Sequence, residues 1–157
     1  EELITIEKAK ELLLPIKQKY HLTFDDLKSL LEIGLSFPSS ILCKELTVLE
    51  SIVKYLKEEK NLTLHNLSSI IGRNERNVWH IYNAAKKKYP EQFVIEAPKF
   101  WIPAVIFSGT KLSALEAIVS YLKDEVMLSY HEIAALLKRD QRTIWTVYRR
   151  ASQKNGK

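Results

Sequence analysis

The chain has 157 residues, 46% of them hydrophobic and 27% charged, with a net charge of +5. That is enough apolar material for a buried core, in one ordinary domain or two to three very small ones. No apolar run approaches the roughly 20 residues that span a bilayer, the single Cys43 excludes an intrachain disulfide, and four glycines leave no Gly-rich phosphate cradle.

The chain opens on Glu1-Glu2, with neither an initiator Met nor a charged-then-apolar leader, which reads as a piece of a longer protein kept in a reducing, cytoplasmic interior. Charge is unevenly placed: −2 over residues 1–36, +2 over 37–97 and +5 over 98–157. A cationic far end suits a polyanionic partner. Cys43 has no metal-ligand companion in sequence and the four histidines are scattered. Cys43 therefore reads as a buried structural thiol, and no metal or cofactor is expected.

Residues 1–36 read as a helical packing or docking segment. A helix entered after Thr5 meets Pro15, whose ring and missing N–H break or kink it. Residues 22–31 echo residues 62–71 but carry the acidic pair Asp25-Asp26 and lack a following third helix. That favours a protein partner over DNA for this segment.

Residues 37–90 hold three predicted helices. Thr47-x-x-Glu50 forms a capping box, in which a hydroxyl satisfies an orphan N–H and the Glu reaches back. Leu49, Ile52, Val53 and Leu56 follow at helical spacing. Thr63 caps a short second helix with Leu67, Ile70 and Ile71 inward. After only Gly72-Arg73, Asn74 caps a third helix that buries Val78, Ile81, Tyr82 and Ala85. Residues 91–111 contain Pro98, Pro103 and the apolar run around Phe100-Trp101-Ile102. This connector is too hydrophobic to hang free and is expected to pack on both flanking units, with Trp101 in the core. Residues 112–157 repeat the three-helix pattern. Ser113-x-x-Glu116 precedes Leu115, Ile118, Val119 and Leu122; Ser129-x-x-Glu132 precedes Ile133, Leu136 and Leu137. After the turn Lys138-Arg139, Asp140 caps a helix that buries Ile144, Val147, Tyr148 and Ala151.

Aligning Trp79 with Trp145, an offset of 66, matches residues 46–88 to the second copy without a gap. Upstream, Phe37-Pro38-Ser39-Ser40-Ile41 matches Ile102-Pro103-Ala104-Val105-Ile106 with a one-residue slip. This is an internal duplication. Two short helices joined by so tight a turn and braced by another make a helix-turn-helix unit. The expected fold is all-α: two tandem three-helix units with a helical N-terminal segment.

Residues 128–151 resemble the promoter-reading C-terminal domain of bacterial sigma factors and the related domains of two-component response regulators. That pattern is Leu-Ser-Tyr-x-Glu-Ile-Ala-x-x-Leu, a short turn, then x-Thr-Val-x-x-x-Leu-x-Arg-Ala. Leu128, Ser129, Tyr130, Glu132, Ile133, Ala134, Leu137, Thr143, Ile144, Tyr148, Arg150 and Ala151 occupy its places, and residues 62–85 match more loosely. Lys138-Arg139-Asp140 replaces the usual Gly-hydrophobe-Ser turn, and Trp145 and Trp79 stand where a basic residue is usual. No polymerase-core-binding region of a sigma factor is recognisable in the remainder. The resemblance implies a third helix that enters the major groove.

On a helix advancing about 100° per residue, Arg76, His80, Asn83 and Lys87 lie opposite the buried face of one reading helix, and Arg142, Thr146, Arg149 and Gln153 opposite that of the other. Asn77 and Thr143 sit near the N-terminal ends, which usually meet base edges. Arg reads guanine bidentately and Asn reads adenine. Arg73, Lys86, Lys88, Arg139, Arg150 and Lys154 suit phosphates, and His65 and His131, just inside the second helices, read equally as phosphate contacts or as plain exposed histidines. Because the outward residues differ between copies, an asymmetric site with two unlike half-sites is expected. Trp79 and Trp145, at the border of core and reading face, are expected to pack on the connector or the preceding helix. Their competing role is contact with a thymine methyl or an unpaired base.

The function expected is non-enzymatic, sequence-selective binding of double-stranded DNA, by a nucleoid-associated transcriptional regulator or the DNA-binding part of a longer protein. The alternative is a protein–protein interaction module built from degenerate units, which Glu75 at the start of a reading helix favours. Single-strand or RNA binding rests on the tryptophans alone.

Overall fold

A computed structural model describes residues 14, 35–95 and 97–156. The expectations for the Thr5 helix, its Pro15 kink and the Asp25-Asp26 echo lie outside the described residues. Residues 36–157 form one compact unit, and its fold is all-α with one small sheet. In chain order it holds β1 (Ser36–Pro38), a 3-10 turn (Ser39–Ile41), α1 (Val48–Glu58), α2 (Leu64–Ile71) and α3 (Glu75–Lys88). The second copy follows with β2 (Trp101–Pro103), a 3-10 turn (Ala104–Phe107), α4 (Ala114–Asp124), α5 (Tyr130–Leu137) and α6 (Gln141–Lys154).

The helices begin where the capping chemistry places them. Thr47 Oγ1 accepts from the Glu50 N–H at 3.2 Å while Glu50 Oε2 accepts from the Thr47 N–H at 2.8 Å. Ser113 with Glu116 and Ser129 with Glu132 close the same reciprocal pair. Thr63, Asn74 and Asp140 cap the remaining three. Both short helices end on a left-handed residue that orients the turn into the third helix. In the first copy it is Gly72 at φ 68°; in the second it is Lys138 at φ 53°. A β-carbon makes that conformation cost roughly 1–2 kcal/mol, so the second turn is the strained one.

Within each copy the first helix packs on the third, and α1 also packs on α4. Ile52, Val53, Leu56, Leu67 and Val78 are fully buried in the first copy, as are Ile118, Val119, Leu122, Ile133 and Ile144 in the second. Several residues read as inward are half-buried instead: Ile71, Ile81, Tyr82, Leu136 and Tyr148. The tyrosines stop short of burial because their hydroxyls reach acids at the ends of the first helices. Tyr82 Oη donates to Glu58 at 3.1 Å and Tyr148 Oη to Asp124 at 2.7 Å. Cys43, expected to be buried, is half-buried in the loop that leads into α1.

The duplicated segments upstream of each unit pair with one another. β1 runs antiparallel to β2, with Phe37 opposite Ile102, Ser36 opposite Pro103 and Pro38 opposite Trp101. Phe37 and Ile102 are fully buried, and the Phe37 ring stacks on Phe107 with centroids 6.1 Å apart. Trp101, expected in the core, is 49% exposed. Successive strand side chains face opposite ways, so a neighbour of inward-facing Ile102 must face out. The connector thus packs through residues 102–107 and through Phe93, whose ring stacks on Tyr89 with centroids 5.4 Å apart, whereas Val94 and Ile95 are exposed.

Two buried polar groups of α1 distinguish it from α4. Lys54 is fully buried in α1, pairs with Glu58, and lies 5.2 Å from the Phe93 ring centroid and 5.9 Å from that of Tyr89. Its counterpart is Ser120. Ser51, also in α1, is fully buried with an Oγ that finds no hydrogen-bond partner among the described residues. Its counterpart Ala117 is buried at the same position. An unsatisfied buried hydroxyl costs about 1–3 kcal/mol, so Ser51→Ala is expected to raise unfolding stability by roughly 1 kcal/mol in urea denaturation. A loss of stability would mean that Ser51 has a partner after all.

Candidate nucleic-acid interface

The third helices are held by two cross-links that recur in both copies. Besides the tyrosine hydroxyl bonds, Lys88 Nζ donates to Glu50 at 2.7 Å and Lys154 Nζ donates to Glu116 at 2.7 Å. Each glutamate therefore caps its own helix and grips the far end of the third helix. Burial disfavours the charge on both carboxyls, but the lysine hydrogen bonds and the N-cap N–H groups outweigh it, and both titrate below the usual carboxylate value of 4.5. Lys88 and Lys154, read from sequence as phosphate contacts, are thus engaged in fixing α3 and α6. Lys86, whose ammonium lies 6.0 Å over the Tyr82 ring, keeps no acidic partner among the described residues.

These cross-links present two equivalent outward faces. Arg76, Asn77, His80, Asn83 and Lys87 are exposed on α3, and Arg142, Thr143, Arg149 and Arg150 are exposed on α6. Thr146 is half-buried. Among the described residues no carboxylate pairs with Arg73, Arg76, Arg139, Arg142, Arg149 or Arg150. Two polar residues spend a donor on their own helix: Asn83 Nδ2 donates to the Trp79 carbonyl at 2.9 Å, and Thr146 Oγ1 to the Arg142 carbonyl at 2.9 Å. That fixes their rotamers, leaves both oxygens as acceptors, and leaves Asn83 a second amide N–H to donate.

Trp79 and Trp145 are 49% and 48% exposed. About half of each indole is thus open to solvent, so whatever packs on it from the connector or preceding helix leaves it uncovered. Each follows a fully buried residue, Val78 or Ile144, in its helix. His80 meets the Trp79 ring edge-on at 4.9 Å, and the Arg149 guanidinium sits 5.4 Å over Trp145. Trp145 also borders a shallow hollow of about 680 Å³ with Tyr130, Asp140 and Arg142. Flat apolar rings interleaved with arginines on one exposed face can cover apolar or aromatic edges of a partner.

The two histidines near the starts of the short helices part ways. His65 Nδ1 lies 2.8 Å from Glu75 Oε1, joining the first turns of α2 and α3 and engaging the acid that opens α3. His131 lines an open groove of about 630 Å³ with Lys44, Lys138 and Arg139.

Residues from both copies meet in a groove of about 380 Å³. Residues 47–49 and 113–115, at the starts of α1 and α4, form its walls, and Arg73, Arg139 and Thr143 reach into it. Asn77 does not. Lys44 went unnoticed in the sequence reading of the site. It belongs to the lead-in of the first copy, yet the fold sets it beside the turn of the second. No local pattern signals that placement. Comparison of the chain with protein-family models, with curated proteins and with solved structures finds no match.

Proposed function

We propose that the chain binds double-stranded DNA sequence-selectively and without catalysis, as a transcriptional regulator or as the DNA-binding part of a longer protein. The observation that carries this reading is the pair of equivalent exposed faces on α3 and α6, whose arginines no carboxylate neutralises among the described residues. Each face follows a short helix and a tight turn, so α2–α3 and α5–α6 act as helix-turn-helix units that seat the third helix in a major groove. Arg76, Asn77, His80 and Asn83 read one half-site; Arg142, Thr143, Thr146 and Arg149 read the other. Arg73, Lys87, Arg139 and Arg150 take phosphates, with Lys44 and Lys86 beside them.

The half-exposed Trp79 and Trp145 favour a second reading, a protein-docking module in which those rings form the hot spot. No helix among the described residues is long and apolar enough to cross a membrane.

Selection from random duplex DNA at about 50 and 200 mM salt separates the two. The DNA reading expects an enriched bipartite motif. With about four neutralised phosphates the log–log salt slope is about −3.6, so affinity falls on the order of a hundred-fold between those concentrations. No enrichment and no salt-sensitive binding would overturn the DNA reading in favour of protein docking.

A further inference from the structure

We propose that α3 and α6 are presented about a two-fold axis, so that the target is an inverted pair of unlike half-sites rather than a direct repeat. This rests on the DNA-reading function proposed above and names the layout of its site.

Duplication alone does not say how two copies are related, since tandem units can follow one another by translation or face one another across an axis. Four contacts decide it. The β1–β2 pair is antiparallel and centred on Phe37 opposite Ile102, which are each other's counterparts in the duplication. An antiparallel pair of like strands has a two-fold through its central residue pair. Next, α1 packs on α4, its own counterpart. The groove between the copies is then walled by residues 47–49 and their counterparts 113–115, with Arg73 and its counterpart Arg139 reaching in.

Finally, the lead-in segments are exchanged. Lys44 of the first copy lies beside Lys138 and Arg139 of the second. Thr110, in the corresponding lead-in of the second copy, lies beside Ile71 and Arg73 of the first. Contact of i with j matched by contact of j with i is the signature of an isologous, two-fold interface; a head-to-tail interface joins unlike surfaces. Each copy is braced internally by the same cross-links, Tyr82 to Glu58 and Lys88 to Glu50 against Tyr148 to Asp124 and Lys154 to Glu116. The operation that carries α1 onto α4 therefore carries α3 onto α6.

A duplex backbone has two-fold axes of its own, and a two-fold protein aligned with one meets the two half-sites with opposite strand sense. Arg73 and Arg139 then flank the centre of the site. The half-sites remain unlike, because His80 faces Thr146 across the axis and Asn83 faces Arg149.

The test is to make the two reading faces alike and ask which repeat is selected. The variant T143N/T146H/R149N/Q153K gives α6 the outward residues of α3, and it is passed through selection from random duplex DNA beside the unmodified chain. The expected product is one half-site occurring twice in inverted orientation. A direct repeat, or a single half-site, would overturn the two-fold layout while leaving DNA reading intact. No enrichment by either protein would overturn the DNA reading itself, and the layout with it. Should circular dichroism show that variant unfolded, the reciprocal variant N77T/H80T/N83R/K87Q puts the same question from the other copy.

Discussion

Replacing Arg142 and Arg149 together with Ala is expected to cost about 2–6 kcal/mol of affinity for the selected duplex, since each arginine that reads a guanine contributes about 1–3 kcal/mol of discrimination. The loss corresponds to a factor of roughly 30 to 10⁴. Both side chains are exposed on α6 without a carboxylate partner among the described residues, so the fold has little to lose. The side-chain interaction lost among the described residues is the Arg149 guanidinium over Trp145, worth about 0.5–1 kcal/mol at an exposed site. Fluorescence anisotropy on the selected duplex reads the affinity, and thermal unfolding reads the fold. Sequence preference should relax in the half-site read by α6 and persist in the half-site read by α3. Unchanged affinity with an unchanged melting curve would remove α6 from the DNA interface and favour the protein-docking reading.

Phe37→Ala is expected to lower unfolding stability by about 3–5 kcal/mol, the usual range for emptying a buried phenylalanine site. Phe37 is fully buried, sits at the centre of the β1–β2 pair and stacks on Phe107 of the other copy's lead-in. Its removal leaves a cavity where the two copies meet. A single-domain stability of 5–15 kcal/mol makes that a large share. Urea denaturation measures the loss, and Phe37→Leu should recover most of it. On the proposed bipartite DNA site the damaged protein should bind little better than on a single half-site, because α3 and α6 no longer hold a fixed relation. A stability change under about 1 kcal/mol would mean that the pairing of the duplicated segments does not hold the copies together.

The six helices described between residues 48 and 154 were legible because each start is written locally. A Thr, Ser, Asn or Asp meets an orphan N–H one turn on, and the apolar residues then recur at helical spacing. Neither cue depends on distant parts of the chain, so Thr47, Thr63, Asn74, Ser113, Ser129 and Asp140 cap where expected. The outward faces of α3 and α6 were legible for the same reason, since helical geometry alone sets Arg76 opposite Val78's side and Arg142 opposite Ile144's.

Misreadings fell on residues whose burial depends on what lies across from them. Trp101 looks like core in an apolar run, but strand alternation next to Ile102 turns it outward. Trp79 and Trp145 stand at the border of a helical face, where no neighbour in sequence says whether a second layer covers them. Lys88 and Lys154 look like free cations until the 38-residue span back to Glu50 and Glu116 is closed by packing.

Local chemistry written along the chain therefore settles where each helix starts, which face it buries and that the unit occurs twice. The relation between the two copies is set elsewhere, by the antiparallel pairing of residues 36–38 with 101–103 and the packing of α1 on α4. The physical reason is that caps and periodicity act over one or two turns, whereas a two-fold axis exists only when surfaces far apart in sequence find one another. Thr47 can be read from its next three neighbours; Phe37 opposite Ile102 cannot.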